Sequence, residues 1–151
     1  MNILKTKIPP PIIALTCIVI NYLSTYLINP IKFPNIEIIG ILILLVGLIT
    51  AMLAIFLFKK DKTTVNPINP EEATTLVTTG IFSITRNPMY LGLLLMLSSI
   101  AFFLKNFISF LIIPLFILFI TKNQILPEEE ALENIFGEEY KNYKKKVRRW
   151  I

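Results

Sequence analysis

The sequence predicts an all-α integral membrane protein with four transmembrane helices. The last two are expected to form a tight helical hairpin, followed by a C-terminal amphipathic helix at the membrane interface. Of the 151 residues, 54% are hydrophobic, and the mean hydropathy of +0.68 lies well above the range of soluble domains. The hydrophobic residues form four blocks, and the basic residues lie mostly on one side of them. The length suits a single domain covering residues 1–151.

Each apolar block is a candidate membrane span, because a helix needs about 20 residues to cross the bilayer core. The second block fits best, since Ile38–Phe58 contains no charged residue. The others are Ile12–Ile28, Pro88–Leu104 and Phe107–Ile120, and the last is expected to continue as helix through Leu126. We therefore assign 1–58 to two N-terminal spans, 59–87 to a cytoplasmic loop, and 88–151 to the hairpin and C-terminal helix.

The first block has an alternative interpretation as a cleaved signal peptide, because Lys5 and Lys7 precede it. No small-residue cleavage site follows it, and Asn29-Pro30-Ile31-Lys32 is a poor one. A retained span is the favoured prediction.

The basic residues orient the predicted spans. Of 15 Lys and Arg, only Lys32 and Lys105 fall in the two loops of one side, and the other 13 belong to the opposite side. Such an excess marks the cytoplasmic side, so both termini are predicted to be cytoplasmic. The net charge of +5 is thereby explained without a nucleic-acid partner. The chain has one cysteine, Cys17, and no histidine, so we expect neither an intrachain disulfide nor a metal site.

Small residues mark a packing seam on the second span. Gly40, Gly47, Ala51 and Ala54 fall on one stripe of a helix, and small residues let helix backbones approach closely in lipid. The loop after this span contains two Asn-Pro pairs, which favour turns. Its apolar residues predict that it packs against the membrane face; they are Val65, Ile68, Leu76, Val77, Ile81 and Phe82.

The segment after the hairpin has the pattern of one amphipathic helix. Its apolar residues recur every three or four positions: Leu132, Phe136, Tyr140, Tyr143, Val147 and Trp150. Acidic residues come first and basic residues last, as the helix dipole favours. We interpret the basic run KKKVRR with its aromatic neighbours as a surface for anionic lipid headgroups, and the alternative is a solvated charged helix.

Two polar clusters are predicted to meet at the cytoplasmic end of the hairpin. One consists of Arg86 and Asn87 with Tyr90 a turn later, and the other is the run 128–130 of three glutamates. Ionisable groups near membrane depth are costly and often mark functional sites. One interpretation is a pocket for a zwitterion, or for a sulfonium beside carboxylates and an aromatic ring. The other is an Arg–Glu ion pair that only holds the hairpin closed.

The motifs in this half of the chain resemble those of the isoprenylcysteine carboxyl methyltransferase and phospholipid methyltransferase superfamily. The family pattern is a Gly, then Arg-His/Asn-Pro-x-Tyr-x-Gly, a helical hairpin, Glu-Glu-x-x-Leu and Phe-Gly-x-x-Tyr. It is matched here by Gly80, Arg86-Asn87-Pro88, Tyr90, Gly92, Glu128-Glu129, Leu132, Phe136-Gly137 and Tyr140. TTVNP at 63–67 and RRW at 148–150 are similar to small bacterial members, which implies the inner membrane of a bacterium.

The resemblance implies S-adenosylmethionine as the cofactor, bound at the cytoplasmic face. It implies that the cofactor site comprises Arg86, Asn87, Tyr90, Leu91, Gly92, Glu128 and Glu129, with Arg86 and Glu129 also taking part in catalysis. The expected substrate is a lipophilic small molecule or lipid-linked group, such as an isoprenylcysteine-type carboxylate or a phospholipid amine. Membrane lipids are the other expected partners, and neither nucleic acid nor metal is expected.

Two positions depart from the family pattern. Some members have His where Asn87 stands, and the isoprenylcysteine enzymes have Arg where Gln124 stands. The second departure weakens the case for a prenylcysteine carboxylate as the acceptor. An amine acceptor needs a base, for which Glu128, Glu129 and Tyr90 are the candidates.

Two other functions remain open at the level of sequence. Certain membrane reductases resemble the superfamily in their C-terminal half and use NADPH, although they are larger and have extra spans. A membrane scaffold without enzymatic activity would use the Arg–Glu cluster only to hold the hairpin together.

Overall fold

The computed structural model describes residues 8–31, 33–61 and 73–151, and within these the chain forms helices and no strand. The α-helices are α1 (Pro10–Ser24), α2 (Ile36–Lys60), α3 (Pro88–Leu104), α4 (Phe107–Ile120), α5 (Leu126–Phe136) and α6 (Glu138–Lys146). A 3₁₀ turn covers Gly80–Ser83, and a π-helical segment covers Thr121–Ile125. α3 lies at the centre, because it packs against α1, α2 and α4.

Within the described residues, two helical segments are long and apolar enough to cross a membrane. They are the 25-residue α2 and the continuous 30-residue run Phe107–Phe136 formed by α4, the π segment and α5. α1 and α3 are equally apolar in character but have only 15 and 17 residues. The all-helical membrane architecture agrees with the sequence, whereas the count of four spans stays a prediction.

The π segment marks the end of the apolar part of the long helical run. At 1.5 Å per residue, 107–125 rises about 28 Å, which matches the bilayer core. α5 then begins at Leu126 with two glutamates in its first turn. The predicted continuation of the fourth block as helix is confirmed, and the glutamates follow the apolar part of that helix.

The predicted tight hairpin is confirmed. Only Lys105 and Asn106 separate α3 from α4, and Lys105 adopts a left-handed conformation with φ of 51°. The Asn106 side chain accepts a hydrogen bond from the Ile108 backbone N–H at 2.9 Å, which caps α4. Lys105 also forms an ion pair with Glu37 of α2, so the tip of the hairpin is tied to the neighbouring helix.

The small-residue stripe of α2 forms the predicted packing seam, and the helix that packs against it is α3. Gly40, Gly47 and Ala54 are buried there. Gly92 of α3 completes the seam, because a Cβ atom at this position would lie 2.9 Å from both the Gly47 carbonyl oxygen and the Ala51 Cβ. The absence of a side chain at Gly92 thus allows the two backbones to approach.

We expect Gly92→Ala to destabilise the protein by roughly 1–3 kcal/mol, the usual effect of overpacking. The added methyl group meets backbone, which cannot rotate away. Thermal unfolding in detergent measures the loss, and Met52→Ala, at a 68% exposed position of α2, is the control expected to change little. Unchanged stability would contradict the role of Gly92 in helix packing.

The described part of the predicted loop packs against the C-terminal end of α2. Val77 and Phe82 are buried with Ala54, and the Phe82 ring contacts the Phe58 ring at 4.9 Å between centroids. The described part of the loop is therefore packed against a helix, and its packing against the membrane face stays a prediction. Residues 62–72, which contain the TTVNP motif, Val65 and Ile68, lie outside the described residues.

The predicted single C-terminal helix is wrong in one respect, because it is divided at Gly137. This glycine has φ of 54° and ψ of −123°, a conformation that other residues resist. α6 follows it and ends at Lys146, after which Val147–Ile151 form a segment without helix that we call the C-terminal strap. The strap runs back against the start of α3, since the Arg86 N–H donates to the Arg148 carbonyl at 3.0 Å.

Candidate active site

A cavity of about 520 Å³ lies beside the N-terminal ends of α1 and α3 and the C-terminal end of α2. Helices α5 and α6 and the loop before α3 complete its walls. Its walls are largely apolar and include Pro10, Ala51, Ile55, Leu76, Leu93, Met96 and Leu132. Polar side chains gather at one part of the wall: Arg86, Asn87, Tyr90, Glu128, Glu129, Tyr140 and Tyr143. Members of both polar clusters predicted to meet therefore border one cavity, whereas Glu130 lies outside its lining.

The start of α3 is held by the C-terminal strap. Pro88 occupies the first turn, where its missing N–H costs nothing. The Asn87 carboxamide Nδ2 donates to the Arg149 carbonyl at 2.9 Å, and the Thr85 hydroxyl donates to the same carbonyl at 3.2 Å. Asn87 thus has a structural partner that the sequence did not suggest.

Glu129 joins two arginines in a buried ion cluster. Its Oε1 lies 3.0 Å from the Arg86 Nη2 and accepts from the Arg149 Nε at 2.9 Å, while its Oε2 accepts from the Arg149 Nη2 at 2.8 Å. The side chains of Arg86 and Glu129 are only 8% and 6% exposed. Arg149 therefore grips the carboxylate as a planar fork, whereas Arg86 reaches it through one nitrogen.

The rest of the Arg86 guanidinium has no partner among the described residues. Its Nε and Nη1 atoms are buried and make no hydrogen bond. A buried donor without an acceptor lowers the stability of the folded state by roughly 1–3 kcal/mol. Such a group in a native protein therefore calls for a functional explanation, such as a ligand that binds it. An anionic ligand bound against this guanidinium would give one of the two nitrogens an acceptor, since their N–H groups point to different edges of the plane.

Glu128 differs from Glu129 in its surroundings. It accepts a hydrogen bond from the Tyr90 hydroxyl at 2.9 Å, and no ion pair with Glu128 is formed within the described ranges. Burial raises the pKa of the Glu128 carboxyl group to about 7, opposed by the Tyr90 hydrogen bond and assisted by the charge of Glu129. Glu128 still borders the cavity, so a ligand can reach its carboxylate.

These contacts separate the three candidate bases. The Tyr90 hydroxyl donates a hydrogen bond to Glu128, and the Glu129 carboxylate forms ion pairs with two guanidinium groups. Glu128, with a pKa near neutrality, has the properties of a general base. Tyr140 also borders the cavity; burial raises its pKa, so its phenol keeps its proton at neutral pH.

Five of the seven predicted site residues line the cavity. Leu91 and Gly92 lie outside its lining: Leu91 is buried and Gly92 faces α2. Gln124 is also outside, because it is buried in the π segment, where its Nε2 donates to the Ile8 carbonyl at 2.8 Å.

Arg149 is the main residue that sequence reasoning missed. It was included in the basic run assigned to lipid headgroups, yet it pairs with Glu129. Lys144 of the same run pairs with Glu133 at 2.8 Å and lies over the Tyr140 ring. Lys145, Lys146 and Arg148 remain exposed for the proposed lipid surface. The RRW motif at 148–150 was the one sequence signal for Arg149.

Comparison with known proteins identifies a family. The family model for phospholipid methyltransferases matches residues 36–139, which is most of the chain. Over 72 residues, 48% of this chain, the sequence is 36% identical to the protein-S-isoprenylcysteine O-methyltransferase of Schizosaccharomyces pombe. That match spans only 30% of the yeast enzyme.

A second relative is shorter. An uncharacterized protein of Haemophilus influenzae is 49% identical over 63 residues, which is 42% of this chain and the whole of that protein. No solved structure shows significant similarity to the chain.

Proposed function

Because the chain belongs to the phospholipid methyltransferase family, we propose that it is an S-adenosylmethionine-dependent methyltransferase acting on a lipophilic acceptor. The cofactor site is the polar part of the cavity, with Arg86, Tyr90 and Glu128 as its principal residues, while Glu129 holds Arg86 in place through their ion pair. Asn87, Leu91 and Gly92 support this site through the placement of α3.

The observation that carries the proposal is the pair of unpartnered nitrogens on Arg86. The buried Nε and Nη1 atoms of the guanidinium lack an acceptor, and Glu128 offers a carboxylate without an ion-pair partner among the described residues. A positive and a negative group on one wall complement a zwitterionic amino acid moiety. The amino acid end of S-adenosylmethionine has this charge pattern.

The chemistry of the cofactor is the donation of a methyl group from a sulfonium. Arg86 binds and orients its carboxylate, and Glu128 binds the ammonium group or takes a proton from an amine acceptor. The apolar walls formed by Ile55, Leu93 and Met96 exclude water and hold the hydrocarbon part of the acceptor. The protein thus contributes mainly orientation and a dry site.

The proposed acceptor enters from the bilayer, since the apolar part of the cavity is bordered by membrane helices α2 and α3. We propose four spans, with both termini and the cofactor site on the cytoplasmic side of a bacterial inner membrane. The excess of basic residues on that side supports this orientation. Carboxylate, amine and thiol acceptors all fit the proposal.

The experiment that tests this function offers purified protein labelled S-adenosylmethionine together with a total membrane lipid extract. We expect the label to enter a lipid or lipophilic fraction, and the same fraction to take up less label with the Arg86→Lys variant. Absence of cofactor binding by the wild-type protein in titration calorimetry would contradict the proposal.

Cofactor affinity should also depend on pH through Glu128. A carboxyl group with a pKa of about 7 is mostly protonated at pH 6 and mostly ionised at pH 7.5. If only the ionised form binds the ammonium group, affinity should rise about eightfold over this interval. Calorimetry at both pH values measures this rise.

Glu128→Gln is the matched control, because it keeps the shape and removes the titration. Subtracting the pH dependence of affinity in the variant from that in the wild type removes the contribution of the ligand's own titration and of other protein groups. Equal pH dependence in both would show that Glu128 does not bind the cofactor through its charge.

A further inference from the structure

Arg149 lies on the side of the ion cluster that faces away from the cavity, and it is not among the residues that line the cavity. Glu129 borders both the 520 Å³ cavity and a polar depression on the other side. Arg86 borders the cavity, and Arg149 borders the depression together with Glu130, Glu133 and Lys144. Glu129 therefore forms the wall between them, with one arginine on each face.

The two arginines compete for the same two oxygens. Arg149 occupies both through its fork, which leaves Arg86 a single contact at Oε1. The cluster of one carboxylate and two guanidinium groups carries a net charge of +1. Because Arg149 neutralises Glu129, the charge and the free N–H groups of Arg86 remain available to an anion.

We propose that Arg149 is a positioning residue: by saturating Glu129 from outside the cavity, it keeps Arg86 available to bind the carboxylate of the cofactor. This inference rests on the proposed function. Without Arg149, the buried Glu129 carboxylate has Arg86 as its remaining partner. Arg86 then turns its second nitrogen toward Glu129 and loses the donors that the ligand needs.

The strap provides a second route for the same effect. The Arg148 carbonyl accepts from the Arg86 N–H, and the Arg149 carbonyl accepts from Asn87 and Thr85. The backbone of the strap therefore fixes the position of the Arg86 backbone. The Arg149 side chain, by pairing with Glu129, determines which groups the Arg86 side chain can bind. The last residues of the chain thus contribute to a site that they do not line.

The test measures S-adenosylmethionine affinity by titration calorimetry in four proteins: wild type, Arg149→Gln, Glu129→Gln with Arg149→Gln, and Lys146→Gln. Arg149→Gln should weaken affinity roughly tenfold to a hundredfold, the value of one or two charge-assisted hydrogen bonds. The double variant should bind more tightly than Arg149→Gln alone, since Arg86 no longer has a carboxylate to turn toward. Lys146→Gln removes the same charge from an exposed position and should bind as wild type does.

A merely structural Arg149 predicts the opposite order, because removing two members of the cluster should then be at least as harmful as removing one. That result, or wild-type affinity in Arg149→Gln, would overturn the inference while leaving the proposed function intact. Failure of the wild-type protein to bind would overturn both. If Arg149→Gln does not fold, Arg149→Lys decides: one ammonium cannot hold both oxygens, so several-fold weaker binding supports the inference and wild-type affinity refutes it.

Discussion

Arg86→Lys should weaken S-adenosylmethionine binding by roughly 1–3 kcal/mol, the range for hydrogen bonds to charged groups. A lysine keeps the positive charge and can keep the ion pair with Glu129. It lacks the planar fork, and with it the two nitrogens that are buried without a partner in the present structure. The variant should therefore stay folded and bind poorly, as titration calorimetry and thermal unfolding on the same sample will show.

Arg148→Lys is the matched control for this change. Its side chain is exposed, and its contact to Arg86 uses the backbone carbonyl, which the substitution leaves in place. Wild-type affinity in both variants would mean that Arg86 does not grip the cofactor. The cluster would then only hold the helices together, which is the scaffold alternative raised by the sequence.

Glu129→Gln should have the largest effect on stability, a loss of about 3–5 kcal/mol, as when one partner of a buried ion pair is removed. The substitution leaves the 8% exposed Arg86 side chain without a counter-charge among its described contacts, and Arg149 loses both hydrogen-bond acceptors in their charged form. The free energy of unfolding measured in detergent is the quantity to compare. We expect a smaller effect on affinity than for Arg86→Lys.

Glu133→Gln serves as the control for the loss of a glutamate charge from α5. Its pair with Lys144 is about one-third exposed on both sides, and pairs of this kind contribute roughly 0–1 kcal/mol. Equal stability losses in the two variants would argue against a special role of the buried cluster. A loss of affinity without a loss of stability in Glu129→Gln would place the cofactor directly on Glu129.

Much of the architecture could be predicted because helical periodicity and hydropathy are local properties. The stripe of Gly40, Gly47 and Ala54 predicted a seam before its partner was known, and the two residues between the third and fourth blocks predicted the hairpin. The hairpin in turn predicted that Tyr90 and Glu128 would meet, and they share a hydrogen bond. Gly92 was assigned to the cofactor from a motif, whereas its closest described neighbours are Gly47 and Ala51.

The sequence by itself determined the helical membrane class, the hairpin and the residues of the polar clusters, because these follow from composition, spacing and motif. Only the tertiary structure decided how the charges pair. Arg149 lies 20 positions from Glu129 and 62 from Asn87, yet it contacts both. Its strap reaches them because the chain turns at Gly137 and leaves α6 after Lys146. Ion pairing depends on where the backbone brings side chains in space, and that path results from the packing of the whole fold.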